Sequence, residues 1–249
     1  MLENTINVKN VSKKFRLYHE KRTTLYESIT GSINRNPHYE TLQVLDNISF
    51  NVKKGECLGI IGRNGSGKTT LLRILSRIYQ PDDGSLETMG TVVPVLALGL
   101  GFHPELTAIK NIYQSSILLG ISKKEIAERT EDIIKFAGLE KFADTKLKNF
   151  SSGMQMRLAF SVAVQVDPTV LLLDEVIAVG DMNFQKKCLD VMKDFKKRGK
   201  SIILVSHNPS DIELLCDRAM FVKDGHIEII GKVPEVLDSY KKYMGTLEK

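Results

Sequence analysis

GRNGSGKT, Gly62 to Thr69, fits the spacing GxxxxGK[ST] at every fixed position. It stands between a short apolar run, Cys57 to Ile61, and a helical run, Thr69 to Ile78. That context turns a glycine-rich stretch into a phosphate-binding loop. Glycines let the backbone curl so that successive N–H groups point at phosphate oxygens, and the helix N-terminus adds partial positive charge. Nucleotide is therefore expected at Gly62, Arg63, Asn64, Gly65, Ser66, Gly67, Lys68, Thr69 and Thr70. Lys68 is expected to reach the β- and γ-phosphates, and the Thr69 hydroxyl to ligate magnesium.

The flanking pattern is α/β. INVKNVSKKF and LDNISFNVKKGECLGIIG read as strands, with a turn at Lys53 to Glu56. Val170 to Leu173 and Ile202 to Val205 are short and wholly apolar, as strands buried on both faces must be. Ile109 to Gly138 carries the spacing of two or three helices, and Ser151 to Val166 of one more. Strands alternating with helices predict a parallel sheet covered on both sides. A mostly helical block, 96–166, interrupts the core of 1–95 and 167–233, and 234–249 reads as a C-terminal helix and tail. Residues 19–43 read as a polar insertion. Leu25, Ile29 and Ile33 within it fall at i, i+4 and i+8, the spacing of a short amphipathic helix.

Three further segments carry chemistry. VLLLDE, Val170 to Glu175, ends a buried strand in two carboxylates that packing does not explain. Asp174 suits magnesium, and Glu175 suits the orientation and polarisation of an attacking water. SIILVSH brings His207 to the carboxyl end of the next apolar strand, where ligands of such sheets bind. In NFSSGMQMRLAFSVAV, Ser151, Ser152 and Gly153 open a helix, a second phosphate-seeking terminus in a chain that already has one. That redundancy disappears if this end serves ATP held by a second copy across a two-fold axis.

The segment Phe150-Ser151-Ser152-Gly153-Met154 resembles the signature motif of ABC ATPases, usually written LSGGQ, with departures at Phe150, Ser152 and Met154. AVGD, Ala178 to Asp181, resembles the D-loop of that family, with Asp181 in its acidic place. Phe15 matches the aromatic that stacks on adenine, with Tyr18 as second choice. The resemblance covers nearly the whole chain. It implies a P-loop NTPase core with a mixed parallel sheet, an N-terminal antiparallel β subdomain and an inserted α-helical subdomain. FSSGM before MRLAF, DEVIAVGD followed by FQKKC, and LGLGFHPELT (Leu98 to Thr107) look like one branch of the family, the exporters of O-antigen, capsule or teichoic acid. O-antigen is the first choice of polymer. The resemblance further implies ATP and Mg2+, a homodimer, two copies of a separate transmembrane permease, a lipid-linked polysaccharide as cargo, and a peripheral place on the cytoplasmic face of the inner membrane. One family element is missing: no glutamine falls near Leu96 to Gly99, and Ala97 stands where relatives in this branch carry Glu.

Composition narrows the alternatives. Lys and Arg number 35 against 30 Asp and Glu, a net charge of +5. No basic stripe with interleaved aromatics suggests nucleic acid. Cys57, Cys188 and Cys216 are odd in number and form no CxxC pair, which fits a reducing compartment. No signal peptide and no spanning helix is expected, so another chain would supply any membrane span. A DNA-acting ABC ATPase needs long coiled-coil arms, and residues 69–149 hold no sustained heptads. A GTPase needs a guanine-reading motif such as NKxD, which is lacking. An ATPase that signals to a membrane partner without transport shares all these catalytic residues. A tethered carbohydrate-binding domain needs on the order of 100 residues, and none is expected after the C-terminal helix.

Overall fold

The computed structural model describes residues 3–18, 39–95, 101–165, 167–174 and 181–247. In chain order the first half runs β1 (Asn4–Tyr18), β2 (Tyr39–Lys53), β3 (Cys57–Ile61), α1 (Lys68–Leu75), β4 (Asp83–Thr88) and β5 (Val92–Val95). Three helices follow: α2 (Ala108–Leu118), α3 (Lys123–Ala137) and α4 (Ser152–Val164). The chain then runs through β6 (Val170–Asp174), α5 (Met182–Lys197), β7 (Ser201–Val205), α6 (Pro209–Leu215), β8 (Arg218–Lys223), β9 (His226–Lys232) and α7 (Val233–Leu247).

Two sheets form. The first is antiparallel, in the order β2-β1-β4. The second has the order β5-β6-β7-β3-β8-β9, parallel except for β9, which returns antiparallel on β8. The expected fold class, a mixed parallel core with an antiparallel β subdomain and a helical insertion, is the one observed.

The period of two in the strands divides the core into layers. Leu171, Leu173, Ile202 and Leu204 face one layer, where α4 and α5 bring Phe160, Phe184 and Phe195, and Phe221 comes from β8. Leu172, Ile203, Val205, Leu58 and Ile60 face the other, filled by α1 and the antiparallel sheet. Strands β3 and β7 are buried at every position, which explains their unbroken apolar runs. The helical block has its own small core of Ile112, Ile126, Ile133 and Leu158. Phe160 and Ala163 of α4 turn instead toward the main sheet, so one helix belongs to both bodies.

The strands reach further than their apolar pattern suggests. Tyr39 to Gln43, read above as the end of a polar insertion, begin β2 and pair with Lys14 to Tyr18. The polar segment DGSLET forms β4 because β1 offers it a free edge. Ile109 to Gly138 holds two helices, separated by a turn at Leu119 and Gly120. The amphipathic spacing at Leu25, Ile29 and Ile33, and the segment around Ala97, lie outside the described residues. Among the described residues no helix is long and apolar enough to cross a membrane.

Candidate nucleotide-binding site

The carboxyl ends of β3, β6 and β7 come out side by side. Ile60 is in register with Val205, and Val205 with Asp174. The chain leaves β3 into the loop 62–67, and β7 into Ser206 and His207, along one edge of the sheet. This edge of a parallel sheet is where such folds bind ligands.

The loop is held tightly from behind. A Cβ on Gly62 would stand 2.2 Å from the Val222 carbonyl oxygen, and one on Gly67 2.7 Å from Leu45 Cδ2. Gly67 also sits at φ 103°, in the left-handed region, where it precedes the first turn of α1. Lys68 is buried, and its Nζ donates to the carbonyl oxygens of Gly62 at 2.7 Å and Arg63 at 2.8 Å. The ammonium is thereby tethered across the loop's own mouth. α1 has no side-chain cap and no acidic residue in its first turn, so its leading N–H groups stay available to an anion.

In front of the loop lies a cavity of about 850 Å³, bordered by Asn64, Gly65, Gly67, Lys68, Thr69 and Thr70. Half-buried Asp174 closes its far side, and Leu42, Val44, Val95 and Met156 supply an apolar wall. These four carry no mark of a site in the sequence. Leu42 and Val44 show the period-two alternation of a strand, but nothing in that pattern marks them as site residues. Phe15 does not itself border this cavity: it is half-buried, in register with Leu42, which does, and its ring meets Tyr79 edge-on at 5.5 Å. Exposed His207 borders a neighbouring cavity with Gly62, Arg63 and Asn64 rather than the one that holds Lys68. Glu175 lies outside the described residues.

Ser151 caps α4, its Oγ accepting from the Met154 N–H at 3.2 Å. Phe150 is buried against the small helical core, and Met154 is half-buried there. Ser152 is exposed, and a Cβ on Gly153 would meet nothing nearer than Ser151 Oγ at 3.9 Å. None of Ser151 to Met154 borders the chain's own phosphate cavity, although Met156, two residues on, does. Asp181 caps α5 by accepting from the Phe184 N–H at 2.9 Å, and its other oxygen lies 3.9 Å from Arg157 of α4. The Arg157 pair, not the cap, brings the start of α5 beside the helix that carries the Ser-Ser-Gly turn.

Comparison with known proteins agrees with this architecture. A family model described as ABC transporter matches residues 45–178. The O-antigen export system ATP-binding protein RfbB of Klebsiella pneumoniae is 41% identical over 98% of this chain and 100% of its own length. The teichoic acids export ATP-binding protein TagH of Bacillus anthracis is 36% identical over 96% of this chain, which spans 43% of that longer protein. Among solved structures, a dimeric post-hydrolysis state of the ATP-binding cassette MJ0796 bound to ADP and Pi matches with TM-score 0.72 and 25% identity, over 92% of this chain and 98% of that one. The phosphate loop at the carboxyl edge of a mixed sheet, the matched family model and the end-to-end relative lead to one assignment: the chain belongs to the ABC transporter family, as an ATP-binding subunit.

Proposed function

We propose that this chain hydrolyses ATP to drive export of a lipid-linked polysaccharide, with O-antigen the first choice and teichoic acid or capsule the alternative. It works as a homodimer on two copies of a separate membrane permease, at the cytoplasmic face of the inner membrane. The observation that carries the reading is the relative named for O-antigen export, which this chain matches over that protein's full length.

The division of labour follows from the geometry. The loop 62–67 and the first turn of α1 receive the phosphates, with Lys68 held over them by two carbonyls. Phe15, beside Leu42 on the neighbouring strand, and the apolar wall of Leu42 and Val44 take the base. Thr69 and Asp174 offer oxygen donors to the same cavity. Such a pair fits Mg2+, which takes most of its shell from water and phosphate rather than from a protein cage. When bound, the ion neutralises charge on the β- and γ-phosphates. Glu175 polarises the attacking water, and His207, which borders the neighbouring cavity in the single chain, reaches the γ-phosphate when two chains close over the nucleotide.

Ser151 to Met154 act on the ATP of the partner copy. The fold supports this, because none of Ser151 to Met154 borders the chain's own phosphate cavity and a side chain at Gly153 would meet nothing nearer than Ser151 Oγ at 3.9 Å. Asp181, tethered to α4 through Arg157, travels with the turn toward the partner. Two chains then close over two ATP molecules, and hydrolysis at Glu175 reopens them.

The test is reconstitution in sealed vesicles of the chain with the membrane protein that co-purifies with it. ATP-dependent transfer of lipid-linked O-antigen is expected. Vigorous hydrolysis with no transfer of any lipid-linked polymer, alongside a partner that forms no pathway, would contradict the export reading and favour a signalling ATPase.

A further inference from the structure

The phosphate loop has a second side. Behind it, between the loop, the β8–β9 turn and α7, lies a separate cavity of about 110 Å³. It has room for several waters or one tetrahedral oxoanion. Arg63 and Ser66 of the loop, Lys223 and Asp224 of the turn, and Tyr243 of α7 border it. A larger cavity of about 430 Å³ adjoins it past Arg63 and Asn64, lined also by His207, Tyr240 and Met244. That second lining contains no carboxylate.

Ser66 is only 5% exposed, and its Oγ has no hydrogen-bond partner. A buried hydroxyl left unpaired costs about 1–3 kcal/mol. Its position is fixed by its neighbours. The point where a Cβ on Gly62 would stand lies 2.8 Å from Ser66 Oγ and 2.2 Å from the Val222 carbonyl. The hydroxyl is therefore on the β8 side of the loop, the side of the small cavity, and not on the nucleotide side. Two cations flank the same space. Lys223 rests over the Tyr243 ring at 4.9 Å, and Arg63 is engaged through its carbonyl, which accepts from Lys68 and from the Ser66 N–H, while its guanidinium has no ion pair or hydrogen bond among the described residues. Against them stands one acid, Asp224.

We propose that the space between the phosphate loop and α7 is a site for a small oxoanion, orthophosphate in the first instance, held by Arg63, Lys223 and the Ser66 hydroxyl. It rests on the ATPase reading above, because hydrolysis next door is what supplies orthophosphate. A phosphate seated here is distinct from one at the γ-position, since the loop backbone separates the two cavities. Occupancy pairs the buried hydroxyl and wedges α7 against the loop, so accumulated product slows turnover without displacing ATP.

The front cavity must be filled before the rear one can be read. Calorimetry with sodium phosphate on the full chain saturated with Mg2+ and ADP is expected to show one further phosphate per chain. Lys223→Met and Tyr243→Phe lie outside the nucleotide cradle and should keep ADP affinity. Lys223→Met should weaken the phosphate site tenfold or more, and should relieve a phosphate inhibition of ATPase that is non-competitive with ATP. No phosphate heat on the ADP-loaded protein, or equal phosphate affinity in wild type and Lys223→Met, overturns the site. Failure of ADP itself to bind contradicts the nucleotide assignment instead, so the two failures are told apart. Equal response to any salt at matched ionic strength shows screening and also overturns it.

Discussion

Two helix N-termini in this molecule open on glycine, and the two glycine sites obey different masters. Around α1 the fold itself demands the residue: a side chain at Gly62 or Gly67 collides with Val222 or Leu45. At the head of α4 nothing within the chain crowds Gly153. Glycine inside a helix is also less favourable than alanine by about 0.8–1.0 kcal/mol. The loop at α1 is shaped by its own protein. At the α4 turn the single chain leaves room for a side chain, which the proposed role on a second copy's ATP would explain.

The largest effect should come where the two regions meet in time. Glu175→Gln removes the proposed base and leaves Lys68 and Asp174 in place, so ATP binding should survive. Turnover should fall by about 10²–10⁴, and size-exclusion chromatography with ATP should show a long-lived dimer. Turnover near that of the native chain would remove Glu175 from its role.

Next is Gly62→Ala. The added methyl group meets backbone oxygen, which cannot swing away, so a loss of about 3 kcal/mol in stability is expected. Nucleotide affinity should collapse with it, read by thermal melting and fluorescent ATP binding. Full ATP affinity in this variant would show that the loop is looser than its contacts imply.

Gly153→Ala sharpens the contrast. The melting temperature should hold or rise, because alanine is the better helix former. ATP affinity of the single chain should be unchanged, while ATPase of the dimer falls about tenfold, close to 1.4 kcal/mol. A drop in melting temperature would mean that the chain itself needs this glycine.

Ser151→Ala is smaller. It removes the cap on Met154 N–H and should cost about 1 kcal/mol, measured by urea unfolding. The smallest effect is at Asp82, whose carboxyl is held below its usual pKa by the hydrogen bond from Lys13, with the Lys14 N–H adding to it. A depressed carboxylate stabilises the fold above its unfolded pKa, and the contribution fades as pH falls through the lower folded value. Asp82→Asn should therefore lower stability slightly near neutrality, and its difference from the native chain should close as pH falls through the folded value.

What the sequence disclosed follows the same division. Fixed spacing exposed the loop 62–69, because each of its positions answers to local backbone geometry. Unbroken apolar runs disclosed β3, β6 and β7, because both faces are buried. The turn at Ser151 was legible as a capped, glycine-containing helix start with no local reason to be there. Other features depended on neighbours distant in sequence. DGSLET is a strand only because β1 has an edge to offer, and Tyr39 to Gln43 are strand only because Lys14 to Tyr18 run beside them. Leu42 and Met156 look like ordinary surface or core residues until the fold brings both to one cavity. The closeness of α7 to the phosphate loop leaves no mark in either segment. It appears in the cavities they share, and in the Tyr240 hydroxyl, which burial raises in pKa against the opposing charge of Arg63.

The central claim is that each ATP is worked by two chains, the loop of one and the α4 turn of the other. Mixing a Gly153→Asp chain with a Lys68→Ala chain tests it directly. In the mixed dimer one composite site carries both defects and the other carries neither. Each variant alone should be close to inactive, and the mixture should recover a substantial part of native ATPase. No recovery, with mixed dimers confirmed by differential tags, would show that each chain works its own ATP alone.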